Sequence, residues 1–229
     1  MSTLLAQAVR DDDGLDLTCL LSLRDTDTDD GRAAPATRVV RTLADVPGPG
    51  SVVVDFTARE ATARLLREAE ATPCSLVIGT SGLTSDDRAR LRDVSRCRPV
   101  VWAANFSLAL TLVRRFIRDL ATSVGPDWGA GVLDLHFAGK RDRPSGTGLM
   151  LADTWRDQRS ASPPADLLSL RIGDAVSEHR LIAAGRGEQV EISHRVNDRA
   201  AFIPGVLAAV RFVGRAEPGL YTVEDALWA

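Results

Sequence analysis

The 229-residue sequence has no long hydrophobic run: no stretch of about 18 consecutive uncharged apolar residues occurs. The first twenty residues also lack the order of a signal peptide, which is a basic segment, then an apolar segment, then small residues. We therefore expect a cytoplasmic protein that does not contact a membrane.

An excess of positive charge is absent too, and aromatic residues are few. The chain has 28 basic and 31 acidic residues, and aromatic residues make up 5% of it. A protein that binds DNA or RNA usually has a basic face. The near balance of charge therefore argues against a nucleic-acid partner.

Cysteine is scarce, with Cys19, Cys74 and Cys97 widely spaced among apolar neighbours. None has a histidine or a glycine-rich turn beside it, so we interpret all three as reduced packing residues. None of the three histidines lies close in the sequence to a cysteine or to another histidine. The sequence thus predicts no metal site.

Residues 51–104 alternate apolar strands with single amphipathic helices. Strands are predicted at 51–57, 75–78 and 99–102, and helices at 58–70 and 84–96. Continuous apolar strands separated by single helices are typical of a parallel sheet covered on both faces. Ligands bind beyond the carboxyl ends of such strands, so the residues that follow each strand are candidate ligand contacts.

The second half of the chain has a different order. It is predicted to contain a helix at 108–124, a strand at 132–136, a helix at 148–159, antiparallel strands at 168–172, 177–184 and 188–194, and a helix at 199–213. We therefore predict an α/β first domain over 1–104, to which 215–229 returns, and an α+β mixed-sheet domain over 105–214.

The segment from His136 to Thr147 combines several reactive groups. His136 can donate a proton near neutral pH, and Lys140, four residues later, can hold an anion. The sequence Ser145-Gly146-Thr147 opens a helix, whose first N–H groups attract a carboxylate or phosphate. The segment therefore predicts a proton donor beside an anion site.

Several motifs in this order resemble those of the dihydrodipicolinate reductase family. They lie at residues 53–57, 78–82, 103–107, 136–147, 171–179 and 191–194, with further matches at 202–205 and 219–225. The resemblance covers nearly the whole chain. It implies a Rossmann-like domain followed by a mixed-sheet domain, and reduction of a small, anionic, cyclic imine or enamine by NADPH or NADH.

The resemblance also implies roles for individual residues. His136 matches the family's general acid and Lys140 its catalytic lysine, while Phe137, Ser145, Gly146 and Thr147 match substrate contacts. The positions that match the nicotinamide side of the cofactor site are Gly79, Thr80, Ser81, Ala103, Ala104, Asn105 and Phe106. His179 and His194 lie on predicted strands, and we expect buried, hydrogen-bonded roles for them rather than catalysis.

The sequence departs from the family pattern beside the general acid. The family has a histidine directly after that residue and another before the lysine, where this chain has Phe137 and Gly139. Phe137 cannot bind a carboxylate. If recognition has changed, the substrate is expected to be less anionic or more apolar at that corner.

A second departure is the absence of the family's first strand and its Gly-x-Gly-x-x-Gly phosphate turn, because Met1–Val9 aligns with the helix that follows them. Losing that central strand is expected to open a gap in the sheet. Three explanations stay open: an internal start, with the strand encoded upstream; direct pairing of the flanking strands in a non-redox isomerase, cyclase or dehydratase; or a non-catalytic binding protein. Arg24 at the end of the next strand would suit a 2′-phosphate.

The second domain is expected to assemble into a homo-oligomer. The resemblance implies a tetramer, or a dimer, formed through the mixed sheet. The apolar positions that alternate along the predicted strands, as such an interface requires, are Leu168, Leu170, Ile172, Val190 and Ile192.

Overall fold

A computed structural model describes residues 1–22, 37–48, 50–159 and 165–228. The chain forms two compact units, one of residues 1–106 with 202–229, the other of residues 107–201. The helix Ile203–Val213, which the sequence assigns to the second domain, packs in the first unit instead. The reason is that its apolar side chains, such as Val206 and Ala209, join the same buried cluster as the strand residue Val101.

The first unit contains five helices and six strands within the described residues. They are α1 (Ser2–Arg10), β1 (Leu20–Leu21), β2 (Val39–Val40), β3 (Val52–Asp55), α2 (Arg59–Ala69), β4 (Ser75–Ile78), α3 (Ser85–Ser95), β5 (Pro99–Trp102), α6 (Ile203–Val213), β10 (Gly219–Tyr221) and α7 (Val223–Trp228). Four strands form a parallel sheet in the order β10-β5-β4-β3.

Local sequence accounts for the central elements of this sheet. Strand β4 is buried almost throughout, as its run of Leu76, Val77 and Ile78 predicts, with helices α2 and α3 packed on one face and α6 on the other. Helix α3 begins where Thr84 and Asp87 form a reciprocal capping box. The predicted parallel sheet with helices on both faces is therefore confirmed.

The expected gap is present in the described part of the sheet. Strand β1, predicted over 15–23, is limited to two residues and pairs in parallel with β2 alone. Strand β3 pairs only with β4 among the described residues. The two flanking strands therefore have not closed on one another by direct pairing.

The second unit contains α4 (Leu108–Ser123), β6 (Gly129–His136), α5 (Gly146–Arg156), β7 (Asp166–Arg171), β8 (Ser177–Gly185) and β9 (Glu188–Val196). Its sheet has the order β7-β6-β8-β9. The expectation that β7 is antiparallel is wrong: it runs parallel to β6, because α5 carries the chain back across the sheet between the two strands. Strands β8 and β9 form an antiparallel hairpin.

Helices α4 and α5 cover one face of this sheet around Ile117, Leu151 and Trp155. The five apolar positions predicted to line one interface do not share a face. Leu168 and Ile172 are exposed, whereas Ile192 packs against the helix-covered core, and Val190 shares its strand face. These five residues therefore do not form the single apolar surface that the sequence predicts.

No helix among the described residues is both long enough and apolar enough to cross a membrane.

Candidate active site

The reactive segment begins at the carboxyl end of β6, the strand that lies between β7 and β8. Side chains alternate along a strand, so Asp134 and His136 project from the same face. The β6–β8–β9 register sets Asp134 opposite His179, and His179 opposite His194. Four ionisable residues thus share one face of the sheet, and all four are buried.

The Asp134 carboxylate is fully buried and accepts hydrogen bonds on both oxygens. The Ser145 hydroxyl donates to Oδ1 at 2.7 Å, and the Ser145 N–H donates to Oδ2 at 2.8 Å. The Ser169 hydroxyl and the Arg171 guanidinium contact Oδ2 at 3.0 and 3.1 Å. Burial acts to raise the pKa of Asp134, but these donors outweigh it and lower that pKa to about 2.

The imidazole of His136 lies against this carboxylate, with Nδ1 2.8 Å from Oδ1 of Asp134. Burial lowers the pKa of His136 below its ordinary value. The Asp134 charge opposes that effect, and the charges of Lys140 and Arg171 add to it. His136 is therefore neutral near pH 7, and Asp134 is the nearest group that favours its protonated form.

His179 extends the cluster beneath His136, with ring centroids 5.1 Å apart. Its Nε2 lies 3.2 Å from the Ser145 hydroxyl oxygen and 3.5 Å from Oδ1 of Asp134. Because the single Ser145 hydroxyl proton points to Asp134, His179 must donate from Nε2 to Ser145. Burial, with the nearby His136, lowers the pKa of His179 to about 4.

His194 completes a row of three imidazoles. Its ring stacks at 6.3 Å from that of His179, and its Nε2 lies 3.0 Å from the hydroxyl of Ser107, the residue that caps α4. Burial lowers the pKa of His194. The expectation of buried, hydrogen-bonded histidines agrees with this geometry, but the sequence did not place them beside His136.

Lys140 lies on the loop that follows β6, where its Nζ is 2.7 Å from Oδ1 of Asp142. Arg171 fixes this loop, since its Nη2 donates to the Asp142 carbonyl at 2.6 Å while it also contacts Asp134. Phe137 is 47% exposed. An ammonium and an aromatic ring are thus presented near the carboxyl end of β6.

Ser145 also begins helix α5. Its hydroxyl accepts the N–H of Gly148 at 3.0 Å, and Gly146 and Thr147 precede Gly148 in the first turn of the helix. Gly146 is exposed, and no heavy atom lies within 4 Å of where its Cβ would be. There is room at this helix start for an anionic group.

The buried cluster does not favour a metal ion. Asp134, His136 and His179 offer possible ligand atoms within 4.8 Å of one another. However, the carboxylate oxygens already accept three serine hydrogen bonds, and the Arg171 guanidinium lies 3.1 Å away. A cation there would meet an adjacent positive charge.

The positions predicted to line the nicotinamide side of a cofactor site lie on two loops of the first unit. Gly79, Thr80 and Ser81 follow β4, and residues 103–106 follow the adjacent β5. A Cβ on Gly79 would clash with the Phe56 ring, so only glycine allows this close approach. Arg24 lies outside the described residues.

One signal in the sequence could have identified Asp134, and another supports the prediction already made for Lys140. Asp134 stands two residues before His136, and a strand places such residues on one face. Lys140 is the only lysine among the 28 basic residues of the chain. Arginine occupies every other basic position, so Lys140 alone provides a compact ammonium.

Comparison with known proteins gives matches over both units. The family model described as "Dihydrodipicolinate reductase, N-terminus" matches residues 1–106, and "Dihydrodipicolinate reductase, C-terminus" matches residues 109–227. The 4-hydroxy-tetrahydrodipicolinate reductase of Rubrobacter xylanophilus is 36% identical over 79% of this chain and 75% of its own length. That of Alkalilimnicola ehrlichii is 31% identical over 99% of this chain and 94% of its own length.

Solved structures share the fold. One described as dipicolinate-bound dihydrodipicolinate reductase from Paenisporosarcina sp. TG-14 has a TM-score of 0.80 and 18% identity, covering 97% of this chain and 93% of that chain. An engineered D-amino acid dehydrogenase has a TM-score of 0.50 and 11% identity, covering 97% and 90%. The predicted fold class, a Rossmann-like parallel-sheet domain plus an α+β mixed-sheet domain, is confirmed.

Proposed function

The chain belongs to the dihydrodipicolinate reductase family of oxidoreductases, and from that premise we propose that it reduces a small, anionic, cyclic imine or enamine with NADPH or NADH. The reaction class is that of lysine and diaminopimelate biosynthesis. One observation carries this proposal at the site: a buried histidine lies 2.8 Å from a buried carboxylate, beside a lysine and a helix N-terminus with open space.

A substrate carboxylate is proposed to bind at the start of α5. The N–H groups of Gly146 and Thr147 lie in the first turn, where the helix dipole favours an anion. Lys140 supplies a full positive charge from the preceding loop. Its present partner, Asp142, has a half-exposed side chain, so an incoming carboxylate can replace that ion pair.

His136 is proposed to donate the proton that completes the reduction. When an unsaturated ring accepts a hydride, negative charge develops at the neighbouring atom and must be neutralised. Burial of His136 keeps water away from its imidazole, and a bound anion favours its protonated form. The histidine is thus expected to take up its proton as the anionic substrate binds.

A nicotinamide dinucleotide supplies the hydride when bound, and the loops after β4 and β5 are proposed to hold its nicotinamide end. The first of these loops passes close to Phe56 at Gly79, and Ser81 and Ala104 are exposed on the two loops. The rings of Phe56 and Phe106 pack against each other beside these loops, with centroids 5.2 Å apart. These residues fit the nicotinamide half of such a cofactor.

The test is dinucleotide binding and turnover by the purified chain. Because the Paenisporosarcina structure is described as a dipicolinate complex, dipicolinate is a suitable binding probe. We expect a saturable change in NADPH fluorescence, and oxidation of NADPH when the family's cyclic substrate is added. Absence of both at millimolar cofactor rejects the reductase, and substrate turnover without dinucleotide supports a non-redox enzyme instead.

Variants at the two proposed catalytic residues sharpen this test. His136→Gln should lower kcat by about 10²- to 10⁴-fold, the usual contribution of a general acid. Lys140→Met should mainly raise KM by removing the positive charge, and Lys140→Arg should recover part of the loss. Equal effects of Met and Arg at position 140 would contradict a role for the charge.

We also propose that the second unit forms a homo-oligomer, a tetramer or a dimer, through the sheet face that carries Leu168 and Ile172. These residues are 61% and 56% exposed, and they lie on the sheet face opposite the one that α4 and α5 cover. Sedimentation of the Leu168→Lys variant should give smaller particles than the parent chain. Identical sedimentation would reject this surface.

A further inference from the structure

The carboxylate at position 134 has no role in the motif that suggested the active site, yet it occupies the centre of the buried cluster. Asp134 is completely buried, and its Oδ1 lies 2.8 Å from His136 Nδ1 and 3.5 Å from His179 Nε2. Strand β6 carries both Asp134 and His136, and because they are two residues apart they project from the same face of the strand.

The short distance between Asp134 and His136 fixes where the neutral imidazole carries its hydrogen. A bare Nδ1 and a carboxylate oxygen at 2.8 Å would both present lone pairs and repel each other. The negative charge of Asp134 at this distance favours the neutral form that carries its hydrogen on Nδ1, although the ring is not turned so that Nδ1 forms a hydrogen bond in this structure, and that form leaves Nε2 as the bare nitrogen. Proton donation from Nε2 then requires that His136 first becomes an imidazolium.

The other charges around His136 act against that imidazolium. Lys140 and Arg171 both disfavour its positive charge, and Asp142 opposes them more weakly than Asp134 does. His179 and His194, which face the same space from β8 and β9, have lowered pKa values and add no negative charge. Among these neighbours, Asp134 is the principal group that stabilises protonated His136.

We propose that Asp134 is a positioning residue that holds His136 in its Nδ1–H form and stabilises its imidazolium, so that Nε2 can donate a proton to the substrate. This role rests on the proposed reductase function only for its kinetic test. The serines and Arg171 that surround Asp134 keep its carboxylate ionised and aligned. Asp134 itself does not touch the substrate in this proposal.

The first test requires no turnover and uses the parent chain. Nitrogen-15 NMR of the imidazoles distinguishes the two neutral forms, and His136→Gln identifies the signal. We expect neutral His136 to carry its proton on Nδ1. A proton on Nε2 would overturn the proposal, whatever reaction the protein catalyses.

The second test compares Asp134→Asn with Ser169→Ala. The asparagine variant should move the titration of His136 in the NMR spectrum to lower pH by about one unit or more, because the stabilising charge is lost. Ser169→Ala removes a neighbouring hydroxyl from the other carboxylate oxygen and should leave that titration in place. Equal titrations in the parent chain and Asp134→Asn would contradict the proposal.

The kinetic test separates positioning from mere structural support. The high-pH limb of the kcat profile reports loss of the donated proton, so Asp134→Asn should shift it to lower pH and reduce kcat about tenfold or more above the limb. In a His136→Gln background, Asp134→Asn should have little further effect on kcat. A uniform loss of kcat at all pH values, equal in both backgrounds, would assign Asp134 a structural role instead.

Discussion

Replacing Ser145 by alanine tests whether the buried cluster and the start of helix α5 depend on one hydroxyl. That hydroxyl accepts the N–H of Gly148, donates to Asp134 and accepts from His179. Loss of the helix cap costs about 1 kcal/mol. The variant also leaves the buried Nε2–H of His179 without its acceptor, which costs about 1 to 3 kcal/mol. The free energy of unfolding should therefore fall by about 2 to 4 kcal/mol.

Ser169→Ala is the matched control, since it removes a hydroxyl from the same carboxylate. It caps no helix, and the Oδ2 atom it serves keeps the Ser145 N–H and the Arg171 guanidinium. We expect a loss of about 1 kcal/mol. Urea unfolding can be followed by tryptophan fluorescence, to which Trp155, fully buried on α5, contributes. Equal losses in the two variants would refute the reasoning that Ser145 serves three partners.

Three further measurements test other parts of the fold. The pKa of His179 is about 4 in the folded chain against 6.5 when unfolded, so the unfolded state binds a proton at higher pH than the folded state does. The free energy of unfolding should therefore fall as the pH drops from about 6.5 towards 4, by up to ~1.4 kcal/mol per pH unit for this residue. In urea titrations at several pH values, His179→Gln should flatten this dependence. Gly79→Ala should lower stability by about 1 to 3 kcal/mol because its Cβ meets the Phe56 ring, and adding Phe56→Leu should restore most of the loss of melting temperature. Thr84→Ala should lower the free energy of unfolding by about 1 kcal/mol through loss of the capping box, whereas Thr84→Ser should retain it; a serine variant as unstable as the alanine variant would contradict that cause.

Local features of the sequence predicted local structure well. The strand at 75–78 and the helix that follows Thr84 have nearly the predicted bounds, because a run of apolar residues and a capping box act within a few residues. Strand β1 is much shorter than predicted. Among the described residues it pairs only with β2, and that pairing involves two residues of each strand.

Strand pairing, by contrast, depends on residues far apart in the sequence. The proximity of His179 and His194 to His136 follows from the register of β6, β8 and β9, which apolar patterning alone does not define. The parallel direction of β7 could have been predicted, since a helix between two strands requires a crossover. The partners of Asp134 come from the start of α5, from β7 and from β8, and were not accessible to motif comparison.

The place of β6 in its sheet has a consequence for how the protein loses activity. Both edges of β6 are paired, with β7 on one side and β8 on the other, and helix α5 packs across it. Amide hydrogens on such a strand exchange with solvent only when most of the unit opens. Because Asp134 and His136 lie on β6, fraying at the margins of the sheet leaves them in register. Heat or denaturant should therefore inactivate the enzyme in the same cooperative step that unfolds the second unit.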